Sequence, residues 1–91
     1  MDEETRLSIL KKDLQMLTSS NDDYLRQLLK LSEQLIRREG IEITPDIDVQ
    51  MSVIHYAAYL YRKRAGKDTG MPRFLRYELN NILFSQKAGG A

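Results

Sequence analysis

Residues 44–66, TPDIDVQMSVIHYAAYLYRKRAG, decide the fold of this chain. Thr44 can cap a helix and proline is tolerated in a first helical turn, so the segment predicts a helix that ends at Ala65, before Gly66. Its apolar residues form two neighbouring rows and extend nearly to the back of the helix: Ile47, Met51, Ile54, Ala58 and Tyr61; Val53, Ala57 and Leu60; Val49 and Tyr56. A helix that is apolar over most of its circumference must be buried on most sides.

This surplus of apolar surface predicts a contact with another subunit. Four short helices in so small a chain can hardly cover such a helix completely. We therefore expect Tyr56, Tyr59 and Leu60 to lie at a subunit interface. Aromatic residues are enriched in such contacts because they bury a large area and keep a polar group.

Two more helices are expected before this one. The first is predicted by leucines at helical spacing, at positions Leu7, Leu10, Leu14 and Leu17. The second has a possible cap at Ser20 and runs to about Glu39, where Gly40 is a natural stop. Its apolar residues form two adjacent rows, a pattern typical of a helix that packs against two neighbours.

A fourth helix is expected to start at Pro72 and to run to about Ser85. Leu75, Leu79 and Ile82 form its inner row, with Phe74, Leu83 and Phe84 alongside. No segment alternates with the period of a strand. The sequence therefore predicts an all-α fold, a bundle of about four helices in a single domain over residues 1–85, followed by a flexible tail at 86–91.

The bulk composition indicates an ordinary globular chain. It has 91 residues, 42% of them hydrophobic and 30% charged, and it has no cysteine. The amino terminus is acidic, and no apolar run approaches the roughly 20 residues that span a bilayer. We expect a cytoplasmic protein or a component of a particle, without a membrane contact.

Candidate catalytic groups are few. His55 is the only histidine, and no orienting group or nucleophile can be assigned to it from the sequence. Asp46 and Asp48 lie two positions apart at a helix start, where the helix dipole alone explains them. There is no phosphate-binding loop and no His/Cys spacing typical of a metal site. The sequence predicts no enzyme, no cofactor and no metal.

Positive charge is concentrated in residues 62–76, here called the basic elbow. Its cations are Arg62, Lys63, Arg64, Lys67, Arg73 and Arg76, against Asp68 alone, which gives +5 in a chain of net charge +1. The first three complement the negative end of the third helix, but Arg73 and Arg76 lie in a first turn, where the dipole disfavours them. An acidic partner surface, an intrachain acidic face such as Asp22–Asp23, or phosphates could compensate.

A small DNA-binding regulator is one reading of the basic elbow. The fourth helix offers Arg73, Arg76, Asn80 and Asn81, which are residue types that can reach base edges. The whole chain, however, is not basic enough to hold DNA well on charge alone. Proximity to DNA without base recognition is the more plausible form of this alternative.

Four segments resemble a known family in order: LSILKKDLQ, DDYLRQLLKLSEQLIRREGI, VIHYAAYLYRKR and MPRFLRYELNNILFSQK. Together they are similar to the head–tail connector proteins of tailed bacteriophages, also called head-completion or adaptor proteins. The likeness extends from about Leu7 to Lys87, and the last two segments are its specific part.

The resemblance implies a structural virion protein that assembles as a ring, expected to be twelvefold, beneath the portal protein in the neck of the virion. It would extend the DNA channel, bind the next neck or tail-completion protein, and occupy the host cytoplasm during assembly. In such connectors a carboxy-terminal arm docks on the portal, and the matching positions here are Asn80, Asn81, Phe84, Ser85, Gln86 and Lys87. The basic elbow would face either the packaged DNA or the neighbouring subunit's residues 1–23, whose six acids and three bases sum to −3.

Overall fold

The protein forms four helices and, within the described residues, no strand. The structure is a computed structural model that describes residues 1–66 and 70–89. Its helices are α1 (Glu3–Asp13), α2 (Asp22–Arg38), α3 (Ile47–Arg64) and α4 (Arg73–Gly89). The prediction of an all-α bundle of about four helices is confirmed.

Helix α3 is the centre of the bundle and packs against each of the other three helices. Its side chains Val53, Ile54, Ala57 and Ala58 are almost completely removed from water. Around them lie Leu10 of α1, Leu25, Leu29 and Ile36 of α2, and Leu75 and Leu79 of α4. Most of the apolar residues predicted for this helix are therefore buried against the chain itself, and this burial is the main stabilising contribution in so small a domain.

Helix α1 is shorter than its leucine pattern predicts. Asp2 caps its start, accepting a hydrogen bond of 2.7 Å from the Thr5 amide, and the Thr5 side chain, together with this amide, lowers the pKa of the Asp2 carboxyl. The helix ends at Asp13, and Gln15 adopts a left-handed backbone with φ of 59°. The chain turns away there, so Leu17 is 98% exposed and its predicted place on the buried face is wrong.

The starts of α2 and α3 also differ from the sequence prediction. The α2 N-cap is Asn21, and the Ser20 hydroxyl bonds to Thr18 instead of capping the helix. The α3 N-cap is Asp46, whose amide donates to the Thr44 hydroxyl, so the helix begins at Ile47. Ile47 is 61% exposed at this first turn and does not join the buried seam.

Gly40 ends α2 as predicted. Its φ of +94° lies in the left-handed region that glycine tolerates best. The turn directs Ile41 into the core, where it is 2% exposed. A Cβ at position 40 would lie 3.5 Å from the Leu83 side chain, so this turn also passes close to α4.

Helix α4 continues beyond its predicted end. Leu75, Leu79 and Ile82 pack on α3, as their spacing predicts, and the helix extends to Gly89 instead of stopping near Ser85. The Gln86 side chain accepts from the Glu42 amide and donates to its carbonyl, both at 2.8 Å. The expected boundary between domain and tail at 85/86 therefore falls inside the helix, and the end of the predicted tail, 90–91, lies outside the described residues.

Tyr56 is not available for a subunit contact. Only 8% of it is exposed, and its ring packs edge-on against Tyr59 with centroids 5.9 Å apart. The prediction placed it at an interface because four helices were expected to leave α3 partly bare, but the chain's own helices cover α3 at this position. Tyr59 and Leu60 are half-buried against the same core.

Burial makes Tyr56 a source of alkaline instability. Removal from water, which disfavours the phenolate, raises the pKa of Tyr56. A phenol whose pKa is higher in the folded state contributes stability that is complete below its unfolded pKa of about 10 and is lost as the pH rises through the folded value. We expect Tyr56→Phe to lose less stability than the unmodified chain between about pH 9 and 11.5.

Urea unfolding followed by circular dichroism at each pH measures this difference. Tyr77→Phe is the matched control, because Tyr77 is 62% exposed. Equal pH profiles for Tyr56→Phe and the unmodified chain would show that Tyr56 titrates as a solvent-exposed phenol.

Candidate interaction surface on helix α4

Helix α4 carries exposed aromatic side chains outside the row that packs on α3. Phe74, Tyr77 and Phe84 are 57%, 62% and 80% exposed, and Asn81 lies exposed among them. At about 100° per residue these four positions fall within roughly 80° of one another on the helix, and they form what we call the outer stripe. The expectation that Phe74 and Phe84 lie alongside the buried row is wrong, because both are exposed, with Phe84 nearly opposite the row and Phe74 about 100° from Leu75.

The outer stripe is exposed because α4 packs mainly on one helix. Its contacts are with α3 and with the turn that follows α2, and they leave Tyr77, Asn81 and Phe84 exposed, while Phe74 at the edge of the stripe contacts His55 of α3. Scattered exposed apolar residues are normal on a soluble protein, whereas a row of aromatic rings on one helix face is typical of an interaction site.

An acidic groove of about 760 Å³ runs beside the outer stripe, between the first half of α3 and the second half of α4. Asp46, Asp48 and Glu78 contribute its carboxylates, and Asn81 and Ser85 line its α4 wall. Across the described part of the chain, none of these three carboxylates is paired with a lysine or arginine. The edge of the outer stripe that borders this groove is therefore negatively charged.

His55 lies in the groove and contacts Glu78. Its Nδ1 is 3.0 Å and 3.2 Å from the two carboxylate oxygens, and its ring lies edge-on to Phe74 with centroids 5.5 Å apart. Ser85 lines the same groove, but no hydrogen bond among the described residues joins it to His55, and a hydroxyl without a base in contact is not activated as a nucleophile. The contact fixes the side chains of α3 and α4 relative to each other.

Within residues 1–66 and 70–89, no group of three or more His, Asp or Glu side chains is arranged to hold a metal ion. In the same ranges, no helix is both long and apolar enough to cross a membrane.

Two basic-elbow cations form ion pairs within the chain. Arg62 contacts Asp13 at its carbonyl, 3.2 Å away, and at its carboxylate, 3.3 Å away. Arg76 donates through both terminal nitrogens to the Glu39 carboxylate, and these bonds raise the pKa of the guanidinium. The sequence suggested an intrachain acidic face, such as Asp22–Asp23, as one way to compensate the charge of the basic elbow. The acids that pair with Arg62 and Arg76 are instead Asp13 and Glu39.

The acids named in that option are paired elsewhere. Asp22 pairs with Lys11, and Asp23 with Arg26. They sit at the start of α2, away from α4, so Arg76 cannot use them.

Two further cations of the basic elbow lie on aromatic rings. The Lys63 ammonium is 5.8 Å from the centre of the Tyr59 ring, and the Arg64 guanidinium is 5.2 Å from that of Tyr24. Arg73 is exposed and forms no ion pair with any described residue. Lys67 lies outside the described residues.

The structure brings most of the predicted docking residues to one end of α4. Asn80, Asn81, Phe84, Ser85 and Lys87 are exposed there. Gln86 is half-buried and engaged with Glu42, so it holds α4 in place and is not free to bind a partner.

It was not predicted from the sequence that Phe74 and Tyr77 lie exposed on the surface of α4. Their signal was present in the sequence, because positions 74, 77, 81 and 84 have the 3-4-3 spacing of a second helical face.

No family model matches this chain, and no curated protein or solved structure matches it either.

The Arg76–Glu39 pair should stabilise the fold measurably. It is partly exposed, with side-chain exposures of 41% and 27%, so the expected loss of unfolding free energy for Arg76→Ala is about 1 kcal/mol. Arg73→Ala in dilute protein is the matched control and should change stability by less than about 0.5 kcal/mol. Urea titrations of both variants, and of Glu39→Gln alone and combined with Arg76→Ala, give the coupling energy. A coupling indistinguishable from zero would mean that Arg76 is free for an external partner.

Proposed function

We propose that this protein is a head–tail connector subunit of a tailed bacteriophage, a structural and non-catalytic component of the virion neck. The observation that carries the proposal is the resemblance of VIHYAAYLYRKR and MPRFLRYELNNILFSQK to that family. These two segments form the central helix α3 and the helix that presents the outer stripe. The part of the sequence with the most specific likeness thus contains the centre of the core and the exposed aromatic residues of the outer stripe.

In this proposal the second half of α4 docks on the portal protein. Phe84 is the central contact because a ring that is 80% exposed in the free chain gains the most from burial in a partner's pocket. Asn80, Asn81 and Lys87 surround it with hydrogen-bond donors and one positive charge. The helical backbone as far as Gly89 presents these groups in fixed positions, so little conformational entropy is lost on docking.

Ring formation would use a different surface of the molecule. Tyr59 and Leu60 remain half-exposed on α3 after the bundle has formed, and Lys63 and Arg64 lie beside them. A neighbouring subunit's acidic residues 1–23 would complement these cations, and a head-to-tail contact of that kind can close into a ring. Packaged DNA in the channel is the other candidate for the same charges.

A DNA-binding regulator is the weaker candidate function. Arg76, one of the four fourth-helix residues in that reading, is paired with Glu39, and Arg62 is paired with Asp13. Binding to duplex DNA depends on cations that are free to contact phosphates. The ion pairs of Arg62 and Arg76 leave the basic elbow with fewer such cations than the sequence suggested.

Binding of the purified chain to the portal ring of the same phage tests the connector proposal. We expect a complex in light scattering and sedimentation, and Phe84→Ser should weaken it by about 2 kcal/mol or more, roughly thirtyfold in affinity. Leu17→Ser is the matched control, since Leu17 is a 98% exposed apolar residue at the opposite end of the bundle. A folded chain that never associates with the portal would contradict the proposal.

A further inference from the structure

We infer that the outer stripe of α4 is a self-pairing surface, on which α4 of a second copy of this chain packs in parallel about a twofold axis. The inference stands on the described surface alone and does not rest on the connector role. The ring contact proposed above involves Tyr59 and Leu60 and uses a different face. The proposed portal contact uses Asn81 and Phe84 of the outer stripe itself, so one copy cannot make the portal contact and the self-pairing contact at the same time.

The spacing of the outer stripe is that of a two-heptad coiled-coil seam. Phe74 and Asn81 occupy a positions, and Tyr77 and Phe84 occupy d positions. Every one of these side chains is exposed in the single chain. The inner row of α4 already packs on α3, so the exposed seam is additional to what the fold needs.

Asn81 fits pairing of two identical helices. A single asparagine at an a position sets the register and the number of strands in parallel coiled coils, because its amide finds a partner only opposite another asparagine. In a parallel pair Asn81 of one copy lies opposite Asn81 of the other. A slip by one heptad would place each amide against an aromatic ring.

The charges flanking the seam select the parallel orientation. In that arrangement a g residue of one helix meets the e residue five positions later in the other. Arg73 then meets the second copy's Glu78, and Asn80 meets its Ser85. In an antiparallel pair g positions face g positions and e positions face e positions, which would bring the cationic edges together and the acidic edges together.

The acidic groove continues this complementarity at the end of α4. Glu78 and Ser85 line the groove, so its α3 wall, with Asp46 and Asp48, extends the e edge of the seam. Lys87 at a g position of the second copy comes over that wall. The groove acids, none of which has a lysine or arginine partner among the described residues, and the cations Arg73 and Lys87 thus become partners of each other.

The available area predicts a weak pair. An aromatic side chain offers about 150–250 Å², so the exposed fractions of Phe74, Tyr77 and Phe84 leave roughly 400 Å² of aromatic surface per copy. Covering it on two copies gives an interface near the lower end of specific contacts, so we expect association between about 10 µM and 1 mM protein.

Sedimentation of the full chain over that concentration range tests the pairing, and the species expected is a dimer. Arg73→Glu should weaken it at least about tenfold, since the new carboxylate faces Glu78 at two symmetry-related places. Glu78→Arg should do the same. An equimolar mixture of these two variants should restore the dimer, because each new charge then meets its opposite. Lys30→Glu on α2 is the matched control and should leave dimerisation unchanged.

Single cysteines determine the orientation, since the chain has none of its own. Under mild oxidation Asn81→Cys should form a covalent dimer, whereas Leu17→Cys should not, and circular dichroism checks that each variant is folded. A chain that stays monomeric at 1 mM would overturn the pairing. Preferential cross-linking of Tyr77→Cys with Asn81→Cys in a mixture would overturn the parallel arrangement, because those positions face each other in an antiparallel pair.

Discussion

The burial of α3 by three helices of its own chain is the constraint on which the rest of the structure depends. Apolar rows nearly encircle α3, and α1, α2 and α4 together cover them. Once α1 and α2 occupy two sides, α4 can pack only on the remaining side and makes few contacts elsewhere. The most exposed aromatic side chains of the described residues are therefore on α4, whereas α3 leaves Ile47 exposed at its first turn and Tyr59 and Leu60 half-exposed.

The charged side chains divide in the same way, into those paired within the chain and those left without a partner of opposite charge among the residues described. At the end of α3 and the start of α4, Arg62 and Arg76 are neutralised by Asp13 and Glu39. Beside the second half of α4, the carboxylates of Asp46 and Asp48 have no cation within the described chain. Ion pairs that are closed inside one chain stabilise its fold, whereas unpaired charges beside exposed aromatic rings favour recognition of another molecule.

The helices and most of the core could be predicted from the sequence, because apolar periodicity alone specifies a helix face. The spacing of α4 indicates two apolar faces, but the sequence could not show which of the two stays exposed, since Phe74 and Phe84 are as apolar as the buried leucines. Nor could it show that Tyr56 is covered, because coverage depends on how closely α2 and α4 approach α3. Leu17 continues the leucine pattern but lies beyond the left-handed turn at Gln15, where the helix has already ended. The partners of Arg62 and Arg76 are 49 and 37 residues away in the sequence, a separation that no local pattern reveals.

The central claim is that the chain itself buries Tyr56 of α3 and leaves the aromatic side chains of α4 exposed. Hydroxyl-radical footprinting of the aromatic side chains tests this claim most directly. In the dilute free chain Tyr77 and Phe84 should be oxidised rapidly and Tyr56 slowly, in keeping with their exposures of 62%, 80% and 8%. On assembly with a partner or a second copy, Phe84 should become protected while Tyr56 stays unchanged. Rapid oxidation of Tyr56 in the free chain, followed by protection on assembly, would instead place the contact surface on α3 and contradict the account.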